Sequence, residues 1–233
     1  YPTENFAMSV SAANIQNVAQ QTPELSLAEQ AGNSVTLAGR HYHDQAVFEA
    51  ERTAVFYKSW LYAGHASQLA KAGDYITTKV LDQEVFLIRG NDGEVRAFYN
   101  ACAHRAHPLV SGAGQCDERI VCPYHAWAYA LDGRLQYARG AGEDFTQGDI
   151  KLSGVRTDWL LDFVFINLDP NAAPLADVAP GLAEDIAQRA PFLSELKLRT
   201  QSRPSLHMDA NWKLIVDNYI ECYHHPTIHG KSL

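Results

Sequence analysis

Two short segments, Cys102-Ala-His104 and Cys122-Pro-Tyr-His125, stand seventeen residues apart and constrain the fold more than any other feature of the chain. Each contributes one thiolate and one imidazole. Structural zinc sites of this composition group two cysteines and then two histidines. Here the ligands alternate, a pattern that suits a two-iron cluster with thiolates on one iron and imidazoles on the other. Neutral imidazoles in place of two thiolates raise the reduction potential well above that of a four-cysteine cluster. Two loops must then be held around iron by a rigid scaffold.

The neighbouring residues read as that scaffold. Tyr75 to Val80 and Glu84 to Arg89 are β-rich, and Asn91-Asp92-Gly93 turns the chain into a third strand, Val95 to Tyr99. Asp132-Gly133 marks another hairpin, and Phe163 to Leu168 reads as a buried strand. Both ligand pairs thus fall on loops of an all-β module spanning 40–170. Ahead of the strands, Asp44 is placed to cap a helix running to about Trp60, with Phe48, Val55, Phe56 and Trp60 near one face as core residues. Residues 1–39, rich in Ala, Gln, Ser and Asn, read as an N-terminal arm with partial disorder. Asp169-Pro170-Asn171, with Pro174 and Pro180, reads as a linker. A second domain over 171–233 is expected to hold helices at about 181–189 and 191–198, a strand Leu206-His207-Met208 and a helix starting near Asn211. The fold class is therefore α+β.

A chain of 233 residues with 46% hydrophobic content can bury a core in each of two modest domains. A formal net charge of -8 argues against nucleic-acid binding. No stretch is long and apolar enough to span a membrane, and no signal peptide is recognisable, so a cytoplasmic location is expected. Cys116 and Cys222 remain outside the ligand set; a bridge between them is conceivable, but nothing suggests an exported protein. Met8 would be a natural start, which leaves Tyr1 to Ala7 open, and the chain is expected to be a fragment.

The cluster pattern, with Arg105 after the first histidine and Ala126-Trp127 after the second, resembles the Rieske domain of the Rieske non-haem iron oxygenases, the aromatic ring-hydroxylating dioxygenase family. The resemblance implies a [2Fe–2S] cluster on Cys102, His104, Cys122 and His125. It also implies that the second domain opens an α+β, helix-grip-like catalytic domain. Family members often carry Arg-Gly after the first cluster histidine, where this chain has Arg105-Ala106. If a positive φ is needed there, alanine costs about 1 kcal/mol. His107 fits no ligand spacing and is assigned to the surroundings of the cluster.

Asn211-Trp212-Lys213, Asp217 to His224 and His229 resemble the mononuclear iron motif of the same family. Two imidazoles and a carboxylate on one face of a non-haem Fe(II) leave positions open for dioxygen and substrate. His224 and His229 offer the imidazoles, and Pro226 is expected to end the helix between them so that both converge. His225 is a rival to His224; the family pattern favours His224. The carboxylate ligand comes, in the family, from a later helix, so this chain alone is expected to be inactive. Asp217 and Asn218 are assigned to supporting roles beside the iron. Glu221 stands three residues before His224, and in the family an acidic residue here links a neighbouring subunit's Rieske histidine to the iron histidine. That implies a head-to-tail homotrimer.

Glutamate before Cys-Tyr-His, together with Gly73-Asp74-Tyr75 and Arg96 to Asn100, is similar to the branch acting on carnitine, glycine betaine and stachydrine. The expected activity is O2-dependent hydroxylation beside a quaternary nitrogen, followed by C–N cleavage. An aromatic ring substrate is the alternative. A Rieske ferredoxin, an electron carrier of another class, would need only the β module and not Trp212 to His229. No Rossmann glycine pattern is present, so an NAD(P)H-dependent flavin and iron–sulfur reductase is expected as the electron-supplying partner.

Overall fold

In a computed structural model, residues 37–142, 144–195, 208–222 and 224–230 are described. Of these, 51–195 form one compact unit, and 37–50 with 208–230 form another.

The larger unit is built on β3 (Gln83–Arg89), whose run Val85-Phe86-Leu87-Ile88 is wholly buried. Such an uninterrupted apolar run belongs in a strand covered on both faces. Alternate side chains feed two different cores. Val85 and Leu87 join Ile76, Val80, Val95, Ala97, Val164 and Ile166 on one side. Phe86 and Ile88 join Phe98, Ile120, Tyr129 and the two motif cysteines, Cys102 and Cys122, on the other. One strand therefore anchors the sheet and the metal loops together.

β3 pairs with β2 (Asp74–Val80) and β4 (Val95–Tyr99), closely matching the expected strands. β1 (Leu61–His65), β5 (Ala113–Gln115), β9 (Gly154–Leu160) and β10 (Phe163–Asn167) complete a seven-stranded antiparallel sheet, ordered β1-β10-β9-β4-β3-β2-β5. A smaller sheet stacks β6 (Arg119–Val121), β7 (Ala128–Ala130) and β8 (Leu135–Tyr137) in sequence order, with the expected Asp132-Gly133 turn joining the last two. At the β3–β4 turn Gly93 takes φ +84°, and the Asp92 carboxylate accepts from the Glu94 N–H and pairs with Arg96 at 2.6 Å. The Arg96 guanidinium bonds hold the Asp92 carboxyl down at about 2.

The helix expected to reach Trp60 stops short. α2 (Gln45–Glu51), preceded by the one-turn α1 (Arg40–His43), passes into a π-type turn at Arg52–Phe56. Leu61–His65 is claimed by pairing with β10, and the Trp60 indole donates to the Ala173 carbonyl at 2.9 Å, so the chain must be extended by then. Asp44 does cap α2, accepting from the Ala46 N–H at 2.8 Å.

After β10 come α3 (Leu175–Val178) and α4 (Leu182–Arg189). The second expected helix is a 3-10 turn at Pro191–Glu195, and 196–198 lie outside the described residues. So do Leu206 and His207 of the expected strand; Met208 is irregular. Of the expected arm, only 37–39 are described.

In the smaller unit, α5 (Trp212–Ile220) begins at Asn211, whose side chain accepts from the Lys213 N–H at 3.0 Å. This is the start expected from sequence. The Tyr42 hydroxyl donates to the Asp217 carboxylate at 3.0 Å, and the Lys213 ammonium lies over the Tyr42 and Trp212 rings. A last one-turn helix, α6 (His225–Ile228), follows. Among the described residues no helix is long and apolar enough to cross a membrane.

Candidate metal centres

The two Cys-His loops are built to the same plan. The Cys102 N–H donates to the His107 carbonyl and its own carbonyl accepts from Ala106 N–H, at 2.9 and 2.8 Å. The Cys122 N–H donates to the Trp127 carbonyl and its carbonyl accepts from Ala126 N–H, at 2.8 and 3.0 Å. Each loop closes through an alanine in the left-handed region, Ala106 at φ +53° and Ala126 at φ +58°. A side chain there costs roughly 1–2 kcal/mol relative to glycine. Sequence reasoning anticipated the first of these and missed the second. The buried Asn100 side chain pins the first loop, accepting from the Leu109 and Val110 N–H groups and donating to the Val110 carbonyl.

These bonds sort the four motif side chains into two pairs. Cys102 and Cys122 are buried, 3% and 2% exposed, while His104 and His125 sit at the rim with ring centroids 4.8 Å apart and planes at 67°. Two imidazoles on one metal, with bonds of about 2.0–2.1 Å, bring their centroids to roughly 5 Å. The imidazole pair therefore fits one iron of a two-iron cluster. Among the described residues no three His, Cys, Asp or Glu groups converge as a metal site, and a cluster held by two separate pairs requires no such trio.

Tyr129 was not foreseen. It is fully buried on β7, and its hydroxyl lies 3.1 Å from Cys102 Sγ while accepting from the Ala103 N–H. Burial, reinforced by Cys102, pushes the phenol well above its ordinary range, so the O–H stays available as a donor to sulfur. The signal in sequence was its place two residues beyond Trp127 on an extended segment facing the cysteines.

Desolvation, with His104, Arg105 and His107 nearby, holds His125 below the usual imidazole range and favours the neutral form that binds metal. The Tyr124 ring leans against His125, centroids 3.8 Å apart at 34°, and His107 packs on Tyr124 at 5.4 Å without joining the ligand pairs. The Trp127 indole lies nearly parallel to His104, with centroids 4.8 Å apart at 8°. All four cysteines are free, and burial raises the Cys116 thiol.

In the smaller unit α5 stops at Ile220, and Glu221 is its extended C-cap. Pro226 stands in the first turn of α6 and starts that helix instead of ending one, because proline is tolerated where no helical N–H bond is needed. His224 and His229 thus flank a single turn, their rings 5.4 Å apart at 67°. The His225 ring lies 4.6 Å from that of His224 and 5.7 Å from that of His229, so the three rings are neighbours without converging on one metal position. Glu221 separates them chemically. Its carboxylate accepts from the His224 N–H at 3.1 Å and sits 2.9 Å from His224 Nδ1, leaving Nε2 with the lone pair a metal needs. The contact expected from a shared helical face is present, made across a cap instead. Asp217 faces Tyr42, and Asn218 is exposed beside it on α5.

Comparison with known proteins identifies the lineage. Residues 59–151 match the Rieske [2Fe-2S] domain, and 195–233 match the ring hydroxylating alpha subunit catalytic domain. The carnitine monooxygenase oxygenase subunit of Escherichia coli (strain K12) is 46% identical over 191 residues, 81% of this chain and 50% of that protein. The chain belongs to the Rieske oxygenase alpha subunits. Its α+β fold agrees. The quaternary ammonium Rieske monooxygenase CntA in complex with L-carnitine superposes with a TM-score of 0.77 at 44% identity, covering 82% of this chain and 54% of CntA. The glycine betaine monooxygenase oxygenase subunit of Pseudomonas aeruginosa (strain UCBPP-PA14) is 34% identical over 194 residues, 82% of this chain and 44% of that protein. Naphthalene 1,2-dioxygenase with indole bound is 31% identical, with a TM-score of 0.72 over 82% of this chain and 44% of that one. The chain spans about half the length of the curated relatives it matches. A [2Fe–2S] cluster goes with the Rieske domain, and a mononuclear iron goes with the oxygenase family.

Proposed function

We propose that the chain is part of the oxygenase component of a Rieske monooxygenase that hydroxylates a carbon beside a quaternary ammonium nitrogen. The observation that carries this reading is the presence of two imidazole sites on one chain, the paired Cys-His loops and the Glu221–His224–His229 group. A ferredoxin needs only the first. The alternation of relatives named for carnitine and glycine betaine supports the substrate class. The naphthalene dioxygenase likeness keeps an aromatic substrate as the second reading.

In this reading Cys102 and Cys122 hold one iron, and His104 and His125 the other. When bound, the cluster would supply one-electron transfer and the mononuclear iron dioxygen activation. Every remaining task falls to side chains. Tyr129 donates to Cys102 sulfur, and His224 and His229 offer lone pairs to the mononuclear iron. Glu221 fixes the His224 tautomer and, facing a neighbouring copy's cluster histidine, completes the electron path of a homotrimer. Asp217 and Asn218 support α5. One oxygen atom enters the C–H bond, the other leaves as water with two electrons and two protons, and the carbinol expels the amine to leave an aldehyde. In this reading the electrons come from an NAD(P)H-dependent flavin and iron–sulfur reductase, and the system is cytoplasmic.

The test is substrate-dependent oxygen uptake by the protein expressed from its whole reading frame, with a family reductase and NADH. Carnitine, glycine betaine and stachydrine are compared with benzoate-like acids. Uptake with a quaternary amine alone is the expected result; uptake with aromatics alone overturns the substrate.

A further inference from the structure

Two aromatic residues of the second cluster loop reach back to the first. Trp127 immediately precedes β7 and Tyr129 lies within it; Tyr129 belongs to the core that holds the two cysteines, and Trp127 packs against that core. Tyr129 meets Cys102 and Ala103, the thiolate end of the first loop. Trp127 meets His104, the imidazole end. His104 is exposed, so nothing like the burial of the cysteines holds its ring. The indole is half-buried, nearly parallel to the imidazole, and also meets Phe145, edge-on at 5.8 Å and 63°. Its backbone is fixed as well, since the Trp127 carbonyl closes the second loop on the Cys122 N–H.

We infer that Trp127 is the positioning residue for His104, a clamp across the two loops that sets the plane of one cluster imidazole. This rests on the reading of Cys102, His104, Cys122 and His125 as cluster ligands. An imidazole free to rotate about its Cα–Cβ bond meets a metal at a range of angles. One stacked between loops meets it at a single angle, and an aromatic pair of this kind is worth about 0.5–1.5 kcal/mol beyond its buried area. Phe145, 36% exposed, makes a ring contact with Trp127 and, among the described residues, none with a cluster histidine, so its contribution is read through the indole.

The experiment loads the full-length protein with cluster and compares wild type with Trp127→Leu, Trp127→Phe and Phe145→Ala. Two signals are read: the g-values of the reduced cluster by electron paramagnetic resonance, and the first-order loss of visible absorbance under chelator. Trp127→Leu is expected to broaden and shift the resonance and to lose cluster about two- to tenfold faster, the rate ratio matching one lost aromatic pair. Trp127→Phe, retaining a ring, restores most of both signals. Phe145→Ala moves them in the same direction as Trp127→Leu but less, and is the deciding variant if Trp127→Leu fails to fold. A loaded wild type with unchanged g-values and loss rates in Trp127→Leu, or in Phe145→Ala where that variant decides, overturns the clamp alone. A wild type that carries no such cluster overturns the ligand assignment and the clamp with it.

Discussion

The cluster loops and the Glu221–His229 segment both gather imidazoles, but they are held by different means. Behind His104 and His125 stand two buried cysteines, a buried tyrosine and a core shared with β3. Around His224 and His229 the described residues offer local bonds: a cap at Glu221, one turn of helix, and no buried side chain in α5 or α6. Packing fixes geometry before a metal arrives, whereas a local turn leaves the metal to finish the arrangement. The first site should therefore tolerate loss of the second, and the second should depend on every ligand it has.

The largest test of that contrast replaces ligands in each site. Cys122→Ser should abolish the cluster absorbance outright, and His224→Ala should leave that absorbance intact while iron retained beyond the cluster falls; loss of the cluster in His224→Ala would break the comparison. Next comes Tyr129→Phe. Removing a donor to sulfur makes added negative charge less welcome, so the reduction potential should fall, by about 50 mV if a few-fold to tenfold effect on the one-electron equilibrium is lost. Redox titration measures it. A smaller effect is expected for Ala126→Gly. Glycine relieves the left-handed strain but loosens the unfolded chain, so a net gain of about 0.5 kcal/mol should appear in thermal unfolding. Smallest is the surface pair at the β3–β4 turn. Asp92 titrates lower folded than unfolded, so its contribution is present above the unfolded value near 3.8 and disappears as pH falls toward about 2. Asp92→Asn should flatten the stability profile between those limits in acid titrations followed by circular dichroism.

What could be read from sequence follows the same division. Strand β3 was legible because two-sided burial writes a continuous apolar run, β2 and β4 because their residues favour extended chain, and the Asp132-Gly133 and Asn91-Gly93 turns because glycine takes φ values others avoid. β5 and β6 were not, being three residues each; their reason for existing is pairing with distant strands and not local propensity. The helix expected to run to about Trp60 left Leu61–His65 unread, because the partner of that strand lies about a hundred residues on in β10. The Cys-His pairs announced themselves through spacing. Tyr129 and the Trp127 stack did not, since a hydroxyl beside sulfur or a ring over an imidazole is a fact of three dimensions. At His224 the partner, Glu221, was found by counting residues, although the turn that joins them is a cap and not a helix.

The repeated hydrogen-bond plan of the two loops has a consequence for how such a chain can vary. Each loop is sealed on its own cysteine, and the flanks of the segment between them, Leu109-Val110 and Ile120, pack with the cysteines or bond to Asn100, so only its tip is free of ligand geometry. Its tip, Asp117-Glu118, is exposed and lies between β5 and β6. Extra residues inserted there lengthen a tether, not a site. Visible spectra of such an insertion variant, unchanged from the parent, would show that the spacing between the two Cys-His pairs is the length of a tether and not a dimension of the cluster.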